Sequence, residues 1–83
     1  MGGKRDVKIE TRACEIVAGA LKIQGTVDIA DDMESLANWD SLTHLALVLE
    51  IEKAIDRKLS ADEVVSVISV HSVAELLADL RNQ

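Results

Sequence analysis

The sequence has no proline, tyrosine or phenylalanine, and Trp39 is its only aromatic residue. β-Sheet cores use many aromatic residues, so a core built from leucine, isoleucine, valine and alanine favours packed helices instead. The four glycines all lie within the first 25 residues, and no glycine or proline interrupts the pattern after them. With 83 residues, the chain predicts one small all-α domain spanning positions 1–83.

Cysteine and long apolar segments are also scarce. Cys14 is the only cysteine, which excludes an intramolecular disulfide and a thiolate metal cluster; we expect a buried or half-buried structural thiol and no metal site. No apolar run reaches eighteen residues, and the amino terminus lacks the apolar segment of a signal peptide. We therefore expect a cytoplasmic monomer that does not insert into membranes.

Basic residues are outnumbered, nine to fifteen, which gives a formal charge of −6 and argues against nucleic acid as a partner. Five acidic residues follow one another without a base among them: Asp28, Asp31, Asp32, Glu34 and Asp40. Such a patch attracts basic protein surfaces, or it only keeps the protein soluble. Charge alone leaves both interpretations open.

Helical spacing predicts a first helix from about Asp6 to Ala20, with Gly19 and Gly25 marking its end. Its apolar face contains Ile9, Ala13, Ile16, Val17 and Ala20. A connector of nearly twenty residues follows, and a loop of that length in a small domain is usually functional. We expect four apolar side chains to pin it to the core: Val27, Ile29, Met33 and Leu36.

A second helix is predicted from Ser41 to about Arg57, and it carries two apolar stripes. The first stripe consists of Leu47, Val48, Ile51, Ala54 and Ile55. The second consists of Leu42, Leu45, Ala46 and Leu49. One stripe suffices for an amphipathic helix, so the second either packs against another helix or forms an exposed docking surface.

Two Ser-x-x-Glu patterns predict the remaining helices, because this spacing forms a capping box. Ser60 with Glu63 starts a short third helix that ends near Ser66. Ser72 with Glu75 starts a fourth helix over about 73–81, whose apolar face contains Val73, Leu76, Leu77 and Leu80. The β-branched segment 64–70 is interpreted as the end of the short helix followed by an extended turn, because a lone strand would have no partner.

Ser41 is the residue that requires a chemical explanation. Its hydroxyl either caps the second helix or carries a covalently attached group. Asp40, Ser41 and His44 supply the residue types of a hydrolase triad, but three residues within one helical turn do not place the imidazole between the other two. We therefore expect no catalytic residues, and His44 is interpreted as a residue at the edge of the core.

A phosphodiester on Ser41 agrees better with helix physics, because the first turn offers free N–H groups and the positive end of the helix dipole. Asp40 would repel such a phosphate. Its expected role is therefore recognition, or a metal contact, for the enzyme that attaches the group.

The segment Trp39-Asp40-Ser41-Leu42, which opens an apolar helix after an acidic loop, resembles the phosphopantetheine attachment motif of acyl carrier proteins. The resemblance covers nearly the whole chain. It implies a four-helix bundle with a short third helix and a long loop between the first two helices. It also implies that Ser41 carries 4′-phosphopantetheine derived from coenzyme A, with Asp40 and Leu42 beside it, and that the terminal thiol holds acyl groups as thioesters.

The resemblance also implies partners: a phosphopantetheinyl transferase, and acyl-transferring, ketosynthase or ligase-type enzymes of fatty-acid, polyketide or related specialised lipid biosynthesis. Such a chain is a carrier and not an enzyme. Trp39 resembles a variant found among specialised carriers and suggests a non-standard partner set. The positions implied to contact partners are Leu42, Leu45, Ala46, Leu49, Glu52, Lys53 and Asp56.

Two alternatives remain. A carrier of peptidyl or aminoacyl groups, including D-alanyl groups, would share the fold and the modified serine. An unmodified helical interaction module would use Ser41 only as a cap and would bind a partner helix through Leu42, Leu45 and Leu49. That second alternative predicts that Ser41→Asp or Ser41→Asn preserves function, because both residues cap well.

Overall fold

The computed structural model describes the backbone of residues 7–81 and the side chains of residues 7–78. It contains four helices: α1 Val7–Leu21, α2 Ser41–Ile55, α3 Ala61–Ser66 and α4 Val70–Arg81. Helix α1 packs against α2 and α4, and α2 also packs against α4. The predicted all-α fold with a short third helix is confirmed. The predicted helix start at Asp6 and the side chain of Leu80 lie outside the described residues.

The core forms where the predicted apolar faces of α1, α2 and α4 meet. Ala13, Val17 and Ala20 of α1 are buried as predicted, and Leu21 joins them. Four of the five residues in the first stripe of α2 are buried, which confirms that this stripe faces the core: Leu47, Val48, Ile51 and Ile55. Helix α4 and the residues around it complete the cluster with Val67, Val70, Val73 and Ala74.

The long connector between α1 and α2 is held partly as predicted. Val27 is buried, and Ile29 and Leu36 pack against the core. The prediction for Met33 is wrong, because its side chain is 37% exposed. The backbone holds this part of the connector instead: Met33 N–H donates to the Ile68 carbonyl at 3.0 Å, and Val70 N–H donates to the Asp31 carbonyl at 3.0 Å.

Helix α1 ends in a tight turn that uses no glycine in the left-handed position. Lys22 takes that conformation with φ 56°. The Ile23 N–H donates to the Ala18 carbonyl at 2.9 Å and the Lys22 N–H to the Gly19 carbonyl at 3.3 Å, which is the Schellman pattern. The expectation that Gly19 and Gly25 mark the end was approximate, since Gly19 lies inside the helix. Helix α2 ends similarly, with Asp56 at φ 57°.

Helix α4 starts at Val70, three residues earlier than predicted. The Ser72 N–H donates to the Ser69 hydroxyl at 3.1 Å, so Ser69 caps the helix and Ser72 lies within its first turn. The prediction of a Ser72–Glu75 capping box is therefore wrong. Glu75 instead lies 3.6 Å from the His71 ring. The backbone bridge from Asp31 already fixes Val70, which explains why the helix begins there.

Candidate functional site at the start of helix α2

Asp40 caps helix α2. Its Oδ1 accepts hydrogen bonds from the Leu42 and Thr43 N–H groups, both at 3.0 Å. The Thr43 hydroxyl closes the capping box by accepting the Asp40 N–H at 2.9 Å. The hydrogen bond from the Thr43 backbone is the main reason that the pKa of Asp40 lies below its ordinary value. The interpretation of Ser41 as the cap is therefore wrong.

Ser41 is the first residue of α2, one position after the cap. Its side chain is exposed, and the described residues give its hydroxyl no hydrogen-bond partner. The helix start thus holds a serine hydroxyl that has no structural task and is accessible from solvent. The capping of Leu42 and Thr43 by Asp40 also means that these two amides are not free for a phosphate, contrary to expectation.

His44 lies one turn further along α2 and bonds on both sides of its ring. The Trp39 Nε1–H donates to His44 Nδ1 at 3.0 Å. An indole nitrogen is only a donor, so Nδ1 must be the acceptor and the proton must sit on Nε2. His44 Nε2 then donates to the Val64 carbonyl of α3 at 3.0 Å. Neither ring nitrogen is available to Ser41, so the three triad residue types do not form a triad.

The residues before Ser41 are fixed to the rest of the fold. Trp39 is only 5% exposed and belongs to the core, and its ring lies edge to edge with the His44 ring, with centroids 6.3 Å apart and planes 25° apart. The Asn38 side-chain amide donates to the Leu21 carbonyl at the end of α1. Because Trp39 is buried, it does not itself face a partner. A Trp followed five residues later by His was the sequence signal for this pair, and it was missed.

Three large side chains of the second α2 stripe are exposed: Leu42 by 77%, Leu45 by 60% and Leu49 by 59%. We call Leu42, Leu45 and Leu49 the α2 strip. Ala46, between them, is half-buried. The sequence left open whether this stripe packs against another helix, and within the described residues it does not. The α2 strip begins directly after Ser41.

The far end of the predicted partner face also has structural tasks. The Glu52 side chain accepts the Leu59 N–H at 2.8 Å and so ties α2 to the connection that follows it. Lys53 forms an exposed ion pair with Glu50, which contributes little to stability. Asp56 ends the helix in its left-handed conformation. Among the positions predicted to contact partners, therefore, only the α2 strip and Lys53 are neither partly buried nor needed to end the helix or to hold the connection after it.

The acidic residues of the connector shape its turns. Asp28 accepts the Ala30 N–H, Asp31 accepts the Asp28 N–H, and Asp32 accepts two further backbone amides. Aspartates commonly stabilise turns in this way. Over the described ranges, no three His, Cys, Asp or Glu side chains are placed to hold a metal ion.

Cys14 is half-buried as predicted, and burial is the main reason that its pKa is raised.

Comparison with known proteins identifies no relative of this chain. No family model, curated protein or solved structure matches the chain. Among the helices that the structure describes, none combines the length and apolar character needed to cross a membrane.

Proposed function

We propose that this protein is an acyl carrier whose 4′-phosphopantetheine arm is attached to Ser41. The proposal rests on the observation that the residues that cap helix α2 do not include Ser41. Asp40 and Thr43 complete the cap, and the Ser41 hydroxyl beside them is exposed and takes part in no hydrogen bond among the described residues. A serine that only capped would be bonded to its own helix.

The residues around Ser41 suit a covalently tethered group more than a tightly bound one. The Asp40 carboxylate already satisfies the Leu42 and Thr43 amides, so a phosphodiester on Ser41 would extend from the helix into solvent. That arrangement suits an arm that must reach other proteins. When attached, the arm supplies a terminal thiol that carries acyl groups as thioesters. The protein's own contribution is a fixed attachment point and an adjoining apolar surface.

The α2 strip supports a role in docking. Its three leucines are 59–77% exposed and follow Ser41 on the same helix. Burial of leucine side chains by a partner is favourable at roughly 25 cal/mol per Å² of apolar surface. The net charge of −6 favours encounter with a basic protein surface. We propose phosphopantetheinyl transferase and acyl-transferring, ketosynthase or ligase-type enzymes as the partners.

The direct test is to incubate the purified chain with coenzyme A and a phosphopantetheinyl transferase of broad specificity, and then to measure the intact mass. We expect a gain of one phosphopantetheinyl group, lost in Ser41→Ala. Ser66→Ala is the matched control, because Ser66 is also exposed and helical, and it should be modified normally. No mass gain, or a gain that survives Ser41→Ala, would refute the proposal.

The cargo remains to be assigned between acyl groups and peptidyl or aminoacyl groups, including D-alanyl. The modified protein should be offered to adenylating enzymes and to acyltransferases in parallel, and the loaded product identified by its mass. Loading by acyltransferases alone supports the acyl carrier, whereas loading only by amino-acid-adenylating enzymes would reassign the cargo.

An unmodified interaction module is the second candidate, and the exposed α2 strip is the observation that favours it. Its original rationale changes, because Asp40 and not Ser41 is the cap. Ser41→Asp still separates the two candidates: an acidic residue is favourable in the first helical turn, so a module would retain partner binding. A carrier would lose its cargo completely on the same substitution.

A further inference from the structure

The position of Ser41 is set by the residues on either side of it. Its hydroxyl is exposed and has no hydrogen-bond partner among the described residues. The first turn of a helix opens easily, since its first N–H groups have no partner within the helix. The Asp40 cap closes two of these amides, at Leu42 and Thr43, but it does not bind the Ser41 side chain. What holds the Ser41 hydroxyl in place is therefore the backbone before and after it.

Two side-chain hydrogen bonds cross Ser41 and tie the chain before it to the helix after it. The Trp39 Nε1–H donates to His44 Nδ1 at 3.0 Å, and the Thr43 hydroxyl donates to the Asn38 carbonyl at 2.6 Å. Trp39 is buried, so its indole is itself held by the core. Closing both ends of so short a segment leaves its backbone few alternative conformations. Ser41 is thereby fixed without using its own side chain.

We propose that the Trp39–His44 hydrogen bond positions the Ser41 hydroxyl for phosphopantetheinyl transfer, a role that rests on the proposed function. Helix α2 does not need this bond in order to begin, because the capping box at its start is complete. A buried indole needs a hydrogen-bond acceptor, but an acceptor on any element would meet that need. Here the acceptor lies in the same first turn as Ser41, so the bond braces the attachment point. Trp39 thus acts inside the protein and not at a partner surface.

The chemistry of the transfer explains why the position of Ser41 matters. The Ser41 Oγ forms a bond to the phosphorus that carries pantetheine in coenzyme A, and the bond from that phosphorus to the leaving adenosine 3′,5′-bisphosphate breaks. The hydroxyl proton passes to a base of the transferase. The attacking and leaving oxygens must lie roughly in line, and a misplacement of about 1 Å costs on the order of a hundredfold in rate. We therefore expect a loosened brace to lower kcat and to leave KM nearly unchanged.

Three substitutions at His44 separate its bond to Trp39 from its bond to the Val64 carbonyl. His44→Asn places an amide oxygen on Cγ, where Nδ1 is attached, and so keeps an acceptor for the indole. His44→Gln places an amide nitrogen one atom further out, as Nε2 is, and keeps only a donor for Val64. With coenzyme A and a transferase of broad specificity, kcat should fall about tenfold in His44→Ala and His44→Gln, and by less than about threefold in His44→Asn.

A double-mutant cycle tests whether Trp39 and His44 act through one bond. Trp39→Phe removes the indole N–H and keeps an aromatic ring in the core, so it should lower kcat about as much as His44→Gln does. The bond is already absent in His44→Ala, so adding Trp39→Phe to that variant should lower kcat little further. An equal effect of Trp39→Phe in both backgrounds would overturn the proposal.

Ile55→Val is the matched control for a general loss of stability. Ile55 is buried at the other end of α2, about 21 Å from Ser41 at 1.5 Å per residue. The control should lower the urea midpoint and leave kcat unchanged. If kcat follows the urea midpoint in every variant, Ile55→Val included, the bond contributes stability alone and the proposal is wrong.

The bond itself is observable without a transferase, because the chain has one tryptophan and thus one indole N–H resonance. This resonance should lose its hydrogen-bonded shift in His44→Ala and keep most of it in His44→Asn. An unchanged resonance in His44→Ala would overturn the proposal. If His44→Ala does not fold, the other two variants decide: a kcat in His44→Gln equal to that in His44→Asn would contradict the positioning role.

The outcomes distinguish this proposal from the proposed function. No transfer to the wild-type chain refutes the carrier function and the positioning role together. Normal transfer to the wild-type chain, with kcat unchanged in both His44→Ala and Trp39→Phe, refutes the positioning role and leaves the carrier function standing.

Discussion

Helices α2 and α3 both begin with a capping box, but serine has a different role in each. In α3 the cap is Ser60, whose hydroxyl accepts the Glu63 N–H at 3.2 Å, while the Glu63 side chain accepts the Ser60 N–H at 2.9 Å. In α2 the corresponding pair is Asp40 and Thr43. Ser41 comes one residue after that cap, so its hydroxyl is not needed. A shift of one position thus separates a structural serine from an available one.

The largest expected contrast is between Ser41→Ala and Ser60→Ala. Ser41→Ala should abolish phosphopantetheinylation and change the free energy of unfolding by less than about 0.5 kcal/mol, because no hydrogen bond is lost. Ser60→Ala should leave modification intact and lower the free energy of unfolding by about 1 kcal/mol through loss of the cap. Intact mass measures the modification of each variant, and urea unfolding followed by Trp39 fluorescence measures its stability. Equal losses of stability in the two variants would contradict the conclusion that Ser60 caps its helix and Ser41 does not.

The second expected effect is on the cap of α2 itself. Asp40→Ala removes the acceptor of the Leu42 and Thr43 amides, so the urea midpoint should fall. Asp40→Asn keeps an acceptor and should retain most of the stability. Asp62→Ala is the control, because Asp62 lies in the first turn of α3 without being its cap. If Ala and Asn at position 40 behave alike, the side chain of Asp40 is not the cap in solution.

The third prediction uses pH to test the hydrogen bonding at the start of α3. Hydrogen bonding to Arg57 is the main cause that lowers the pKa of Glu63 from 4.5 to about 2. Because the pKa is lower in the folded state, Glu63 contributes stability above pH 4.5, and that contribution is lost as the pH falls towards 2. Unfolding measured across this range should therefore show a loss of stability. Glu63→Gln should flatten the loss, whereas an unchanged pH profile in that variant would contradict the assignment.

The faces of the long helices could be predicted from the sequence because burial repeats with the helical period. The inner stripe of α2 needed only the spacing of Leu47, Ile51 and Ile55. The exposure of Leu45 and Leu49 could not be derived in the same way, since a periodic stripe does not reveal whether another helix covers it. That depends on where α3 lies, and α3 is placed by long-range bonds such as His44 to Val64.

The start of α2 shows a second limit of sequence patterns. Asp40 and Ser41 are adjacent and both cap helices well, so propensity alone does not choose between them. Thr43 explains why Asp40 and not Ser41 is the cap. It lies three residues after Asp40, and its hydroxyl accepts the Asp40 N–H and donates to the Asn38 carbonyl. The start of α4 was misplaced for the same reason, because Ser69 and Ser72 both precede plausible first turns and the bridge to Asp31 favours Ser69.

The smallest expected effects concern the carboxyl ends of α1 and α2, where Lys22 and Asp56 and not glycine occupy the left-handed position. Lys22 and Asp56 have φ values of 56° and 57°, a conformation that costs most L-residues about 1–2 kcal/mol. Glycine avoids that cost but loses roughly 0.5–1 kcal/mol of chain entropy. Lys22→Gly and Asp56→Gly should therefore each raise the free energy of unfolding by up to about 1 kcal/mol. Lys53→Gly, inside α2, should lower it by about 1 kcal/mol. If all three glycines destabilise alike, the left-handed ends of α1 and α2 do not persist in solution, and only the helix starts are sharply defined.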